Sequence, residues 1–152
     1  MASETSPSVP SVSSSTSEQA IKDCLTTYRI CRATATHGTH YGGVWASGSV
    51  LNLLNDCAEM NLAVVELLSR GSQFSRNVSH LCAEISETCA EALAPHEHAD
   101  AQLRVAYAAC RRSHLVCAYL SGALPEEEFD PRDVALQGTF PASDPVPPPT
   151  EL

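Results

Sequence analysis

Four stretches of the chain repeat small and apolar residues every three to four positions, the spacing that turns one stripe of an α-helix toward a core. In the first, Ile21, Cys24, Leu25, Tyr28, Cys31 and Ala35 hold the stripe to about His40, and Gly42-Gly43 ends it. A capping-box pattern, Thr16-Ser-Glu-Gln19, predicts its start. The second runs from about Val44 to Ser69, with Leu51, Leu54, Cys57, Asn61, Val64 and Leu68 inward and Gly71 as its stop. Asn61 is the one polar residue on that inner face. The third begins near Phe74, carries Val78, Cys82, Ile85, Ser86, Cys89 and Leu93, and ends at Pro95. The fourth follows His96-Glu-His98 with Leu103, Ala106, Cys110, Ser113/His114, Cys117 and Leu120, closed by Gly122 and Pro125. Helices of this length joined by short loops predict an all-α fold, an antiparallel up-down four-helix bundle over 16–122. Residues 1–15, rich in Ser and Pro, and the acidic, Pro-rich 123–152 are expected to be disordered tails.

A Cys-x6-Cys spacing recurs three times, at Cys24/Cys31, Cys82/Cys89 and Cys110/Cys117. Seven residues are two helical turns to within about 20°, so each pair shares a stripe. At about 1.5 Å per residue its members stand roughly 10.5 Å apart, too far for a disulfide or a shared ion. Any ligand set must therefore be assembled across helices. In the antiparallel bundle Cys31, Cys57, Cys89 and Cys110 fall at one depth. Cys24, Cys82 and Cys117 form a second layer, where helix 2 offers Val64. Tyr28, Asn61, Ser86 and Ser113 or His114 are expected between the layers, with His37 and His40 facing His96 and His98 at the mouth.

Charge narrows the classes. The chain of 152 residues carries −9, and the seven acids and one arginine of 123–152 account for −6 of it. A basic surface for nucleic acid is missing. No apolar run approaches the roughly 18 residues of a membrane span, and seven cysteines without a secretion signal point to reduced thiols in the cytoplasm. Asn77-Val-Ser79 fits a glycosylation sequon that has no use there.

Thiolates are soft donors that favour Cu(I) and Zn(II), and four together suit an iron–sulfur cluster. Zinc usually arrives with CxxC knuckles, which this chain lacks, so copper(I) is placed ahead of zinc or iron–sulfur. The bland alternative is that buried cysteines are small hydrophobes, a weaker account of seven in matched stripes than of one. His37 and His40 read as a surface pair at a helix end or as a metal port, and His114 as a core histidine or a ligand. His80, His96, His98 and the Arg111-Arg112 face are expected in solvent. Ser86 with His114 lacks the elbow and acid of a hydrolase.

The triplets Cys57-Ala-Glu59, Cys82-Ala-Glu84 and Cys89-Ala-Glu91, with Tyr28-Arg-Ile-Cys31, Cys110-Arg-Arg and the His37 helix end, resemble the bacterial cysteine-rich four-helix-bundle copper storage proteins over about residues 18–122. The resemblance implies copper(I) ligation by Cys24, Cys31, Cys57, Cys82, Cys89, Cys110 and Cys117, with His37, His40 and His114 as further candidate ligands. Where that family's pattern places more cysteines, this chain has Thr27, Gly38, Asn61, Ser86, Leu93, Ala106 and Ser113, which implies a small site holding few ions. Two rivals remain at this point. One is a copper-dependent oxidase or oxygenase in which Tyr28, Asn61 or His114 orients a small-molecule substrate. The other is a metal-free helical interaction module whose acidic tail recruits a partner.

Overall fold

The computed structural model describes residues 14–125 and residue 128, so the two expected tails fall almost wholly outside the described residues. Helix α1 (Ser14–Tyr41) is rich in threonine, a modest helix former. Its hydroxyls at Thr26, Thr27, Thr34, Thr36 and Thr39 each donate back to the carbonyl four residues earlier, which keeps them from competing with the helix. Ser14 and Ser15 are already helical, so Thr16 lies within the helix and is not the cap its sequence suggests. Gly42 and Gly43, both at positive φ, turn the chain out of it.

Helix α2 (Gly48–Ser69) begins four residues later than the sequence predicts, because Ser47 takes the N-cap and its Oγ accepts from the Val50 amide at 3.4 Å. The freed residues 44–47 form a loop that folds Trp45 back over the core, where it is buried. Helix α3 (Ser75–Leu93) runs into a single 3-10 turn, Ala94–His96, with Pro95 inside it. Helix α4 (Ala101–Ser121) is capped by Asp100 and ends at Gly122 in the left-handed region. Each helix packs on the next and α4 closes back on α1, giving the antiparallel four-helix bundle. No helix among the described residues is long and apolar enough to cross a membrane.

Asp100 does two things at once. Its Oδ1 accepts from the Gln102 amide at 2.7 Å, and its Oδ2 accepts from His37 Nε2 at 2.9 Å. Partial burial raises the carboxyl's pKa, but the Gln102 amide and the His37 imidazole outweigh it and hold the group below its ordinary value. A depressed carboxylate stabilises the fold above its unfolded pKa, and that contribution fades as pH falls through the folded one. Asp100→Ala is expected to lose about 1 kcal/mol of stability at neutral pH. The deficit against the parent chain should shrink in urea melts taken at successively lower pH across the carboxylate range.

The core has two parts. One gathers Ile30, Cys31, Trp45, Leu54, Cys57, Cys89, Leu93, Leu103 and Cys110; the other gathers Ala20, Cys24, Val64, Cys82, Val116 and Cys117. Gly38 is buried in the first, and a Cβ there would lie 2.8 Å from both Leu51 Cδ2 and Trp45 Cη2. The indole thus takes the space of a side chain on α1. Gly38→Ala should cost about 1–3 kcal/mol by overpacking, with a shift in Trp45 fluorescence as the ring is displaced.

The Arg111-Arg112 pair is not a solvated face. Arg111 is exposed, but Arg112 is 5% exposed and its Nη2 donates to Asp23 Oδ2 of α1 at 2.6 Å. On α4 it shares the inner half of the helix with Cys110 and Val116, and only a carboxylate opposite lets a guanidinium sit there.

Candidate metal centre

The antiparallel arrangement brings Cys31 of α1, Cys57 of α2 and Cys110 of α4 to one level. Their sulfurs all lie within 4.8 Å of one another, and each residue is fully buried. Cys110 is the shared member, at 3.8 Å from Cys31 Sγ and 3.9 Å from Cys57 Sγ. Cys89 of α3 is near enough to perturb Cys57 and Cys110 but stands outside the tight trio. At the other level Cys24 and Cys82 are near enough to perturb Cys117, with Val64 fully buried in the same cluster. All seven cysteines are buried free thiols.

Cys57 is the most acidic of the upper group. Hydrogen bonds from Cys110, Cys31 and Cys89, with Ser86 adding to them, lower its pKa against the opposing effect of burial. Asn61 Nδ2 also approaches its sulfur, at 3.6 Å. Cys110 is pushed up by its bonds to Cys31, Cys57 and Cys89 and by burial. For Cys31 and Cys89 the bond to Cys110 acts downward, but Cys57, burial and the charge on Cys57 carry both upward. Cys82 is raised by its bond to Cys117 and by burial, and Cys117 by its bond to Cys24 and by burial. Within the upper group the downward push falls on Cys57 and the upward push on its partners, so Cys57 is the thiol that gives up its proton most readily to an arriving cation.

Between the levels, Asn61, Ser86 and Ser113 are buried and joined. Ser113 Oγ donates to Asn61 Oδ1 at 2.8 Å, and the two serine hydroxyls lie 2.9 Å apart. Asn61, the odd polar residue of the α2 stripe, also donates to the Cys57 carbonyl at 2.8 Å. Tyr28, expected here, is only partly buried against the upper cluster, and Thr27 takes the inward place on α1. The helical period does not separate the two, since Thr27 and Tyr28 lie about 50° to either side of the Cys24/Cys31 stripe; packing turns the Thr27 side inward, where its hydroxyl reaches the Ala109 carbonyl of α4.

Among the described residues no histidine joins the sulfur trio. His37 is bonded to Asp100 and sits near Tyr41 and Trp45, with ring centroids 4.8 Å and 6.2 Å away; His40 is exposed. His114 Nδ1 donates to the Ala83 carbonyl at 3.1 Å from a half-buried position. His80 pairs with Glu84 and His98 with Glu97 in largely exposed settings, and His96 is partly buried in the 3-10 turn. Sequence reading missed Arg112 with Asp23, Trp45 and Asp100. Of these only Asp100 left a local signal, an Asx residue immediately before an apolar period.

The donor set fits a soft ion: three buried sulfurs within 4.8 Å of one another and no carboxylate among them. The family model for copper storage proteins matches residues 13–122. Two solved structures of a Streptomyces lividans protein are similar. One describes copper loading to a cytosolic copper storage protein with five coppers, at 25% identity and TM-score 0.66, covering 73% of this chain and 96% of that one. The other is a histidine-to-alanine variant, at 25% identity and TM-score 0.68, covering 75% and 98%. A Nitrosospira multiformis protein shares the fold at 23% identity and TM-score 0.65, over 74% of this chain and all of that one. No curated protein matches the chain.

Proposed function

This chain belongs to the copper storage protein family, and on that premise we propose that it holds a small number of copper(I) ions on the thiols of its bundle core. The observation that carries the reading is the convergence of Cys31, Cys57 and Cys110 from three helices to within 4.8 Å. Thiolates select Cu(I), and enclosure in an apolar core keeps the ion from water and oxidants. Small capacity follows from what fills the remaining space. Mouthward of the trio the core is Leu54, Leu93, Leu103 and Ala106 under Trp45, and below it lies the Asn61–Ser113–Ser86 network. Copper arrives, in this reading, at the end marked by His37 and His40, and must part the leucines to reach sulfur. Seven free thiols suit a reducing compartment, so we place the protein in the cytoplasm, the setting named for its Streptomyces lividans neighbour.

Anaerobic titration of the reduced protein with Cu(I), read by native mass spectrometry, tests this. One to four ions retained against a competing chelator is the expected result. No retained copper would leave a helical bundle without a metal role, and a much larger load would mean bulk storage.

A further inference from the structure

We propose that Thr27, Asn61, Ser86 and Ser113 form a partition, one residue from each helix, that keeps the thiols as two separate copper(I) groups. Cys31, Cys57 and Cys110, with Cys89, lie on one side, and Cys24, Cys82 and Cys117 on the other. This rests on the copper reading above and adds how the cargo is divided.

The partition occupies the places through which a chain of sulfurs would have to run. Ser86 Oγ lies 3.5 Å from Cys57 Sγ and 3.9 Å from Cys82 Sγ, so a hydroxyl stands between an upper and a lower thiol. Ser113 Oγ is 3.9 Å from both Cys82 and Cys117. Hydroxyl and amide oxygens are hard donors and an amide nitrogen has no free pair, so none of these groups passes Cu(I) along as a thiolate would.

Three members of the partition, Asn61, Ser86 and Ser113, are also tied to one another. Ser113 spends its proton on Asn61 Oδ1; Asn61 Nδ2 spends its two on the Cys57 carbonyl and sulfur. The Ser86 proton has Ser113 Oγ, Cys57 Sγ or Cys82 Sγ to serve. Thr27 Oγ1 is turned to the Asp23 and Ala109 carbonyls, at 3.0 Å and 3.4 Å. All four residues are at most 1% exposed, so opening the layer for an ion breaks several buried hydrogen bonds with no water to replace them.

The test compares the unmodified chain with C24A/C82A/C117A and with C57A/C110A, each titrated anaerobically with Cu(I) alone against a chelator and counted by native mass spectrometry. Separate groups predict that deleting the lower set removes only its own ions and leaves the upper affinity within about twofold, as independent sites do. The converse holds for the upper pair. A tenfold or greater loss of affinity in the untouched group would mean one continuous cluster and would overturn the partition. If either variant loses helicity by circular dichroism, the single change C117A applies the same criterion. Ser86→Cys with Ser113→Cys should fuse the groups, seen as cooperative loading beyond the two thiols added; non-cooperative loading there would also count against the proposal. An unmodified chain that binds no copper defeats the functional reading itself, a result distinct from a loaded but undivided core.

Discussion

Asp23→Ala is expected to unfold the bundle far more readily than any single cysteine change, by about 3–5 kcal/mol, because it strands a buried guanidinium. Arg112 and Asp23 have side chains only 6% and 13% exposed, and the pair is 2.6 Å apart. Arg112 Nη1 already has no hydrogen-bond partner among the described residues, so losing the carboxylate removes the main compensation for burying the charge. Arg112→Ala leaves the converse problem, a nearly buried carboxylate, and should fall in the same range. Replacing both, as Asp23→Leu with Arg112→Met, should recover most of the loss, since apolar isosteres avoid the desolvation that the ion pair must offset. Urea denaturation of the four proteins measures each loss and the recovery. Single variants within about 0.5 kcal/mol of the parent would show that the pair is solvated like an ordinary surface bridge.

Cys110→Ala should have the largest effect on copper. Its sulfur contacts both Cys31 and Cys57, so its removal leaves the other two without their common neighbour. The expected loss is at least tenfold in Cu(I) affinity, about 1.4 kcal/mol, or one ion fewer retained in chelator competition. Cys89→Ala, which takes a sulfur from outside the tight trio, should weaken binding less. Both variants should keep their helicity, because a thiol-to-methyl change empties little volume. Equal effects of the two would mean that copper is held by all four sulfurs alike.

The matched levels of the thiols were legible from the chain alone. Once the helices alternate in direction, Cys-x6-Cys on three of them and a lone Cys57 on the other can meet only in two layers, and Val64 falls where the lower layer lacks a sulfur. The lone Asn61 on an apolar stripe announced a buried polar group, though not its partners. The late start of α2 was hidden because Val44, Trp45 and Ala46 continue an apolar run, while the cap that stops them is a single Ser47 hydroxyl.

Sequence by itself determined the four helices, their order and the depth at which each cysteine sits, since a repeat of 3.6 residues sets both angle and height along an axis. Tertiary structure alone decided that Cys31, Cys57 and Cys110 close to within 4.8 Å while Cys89 stays outside, that Arg112 turns inward to Asp23, and that Trp45 fills the space beside Gly38. Those outcomes depend on how two helix surfaces interlock to within an ångström, a distance set by neighbours remote in the chain and carried by no local period.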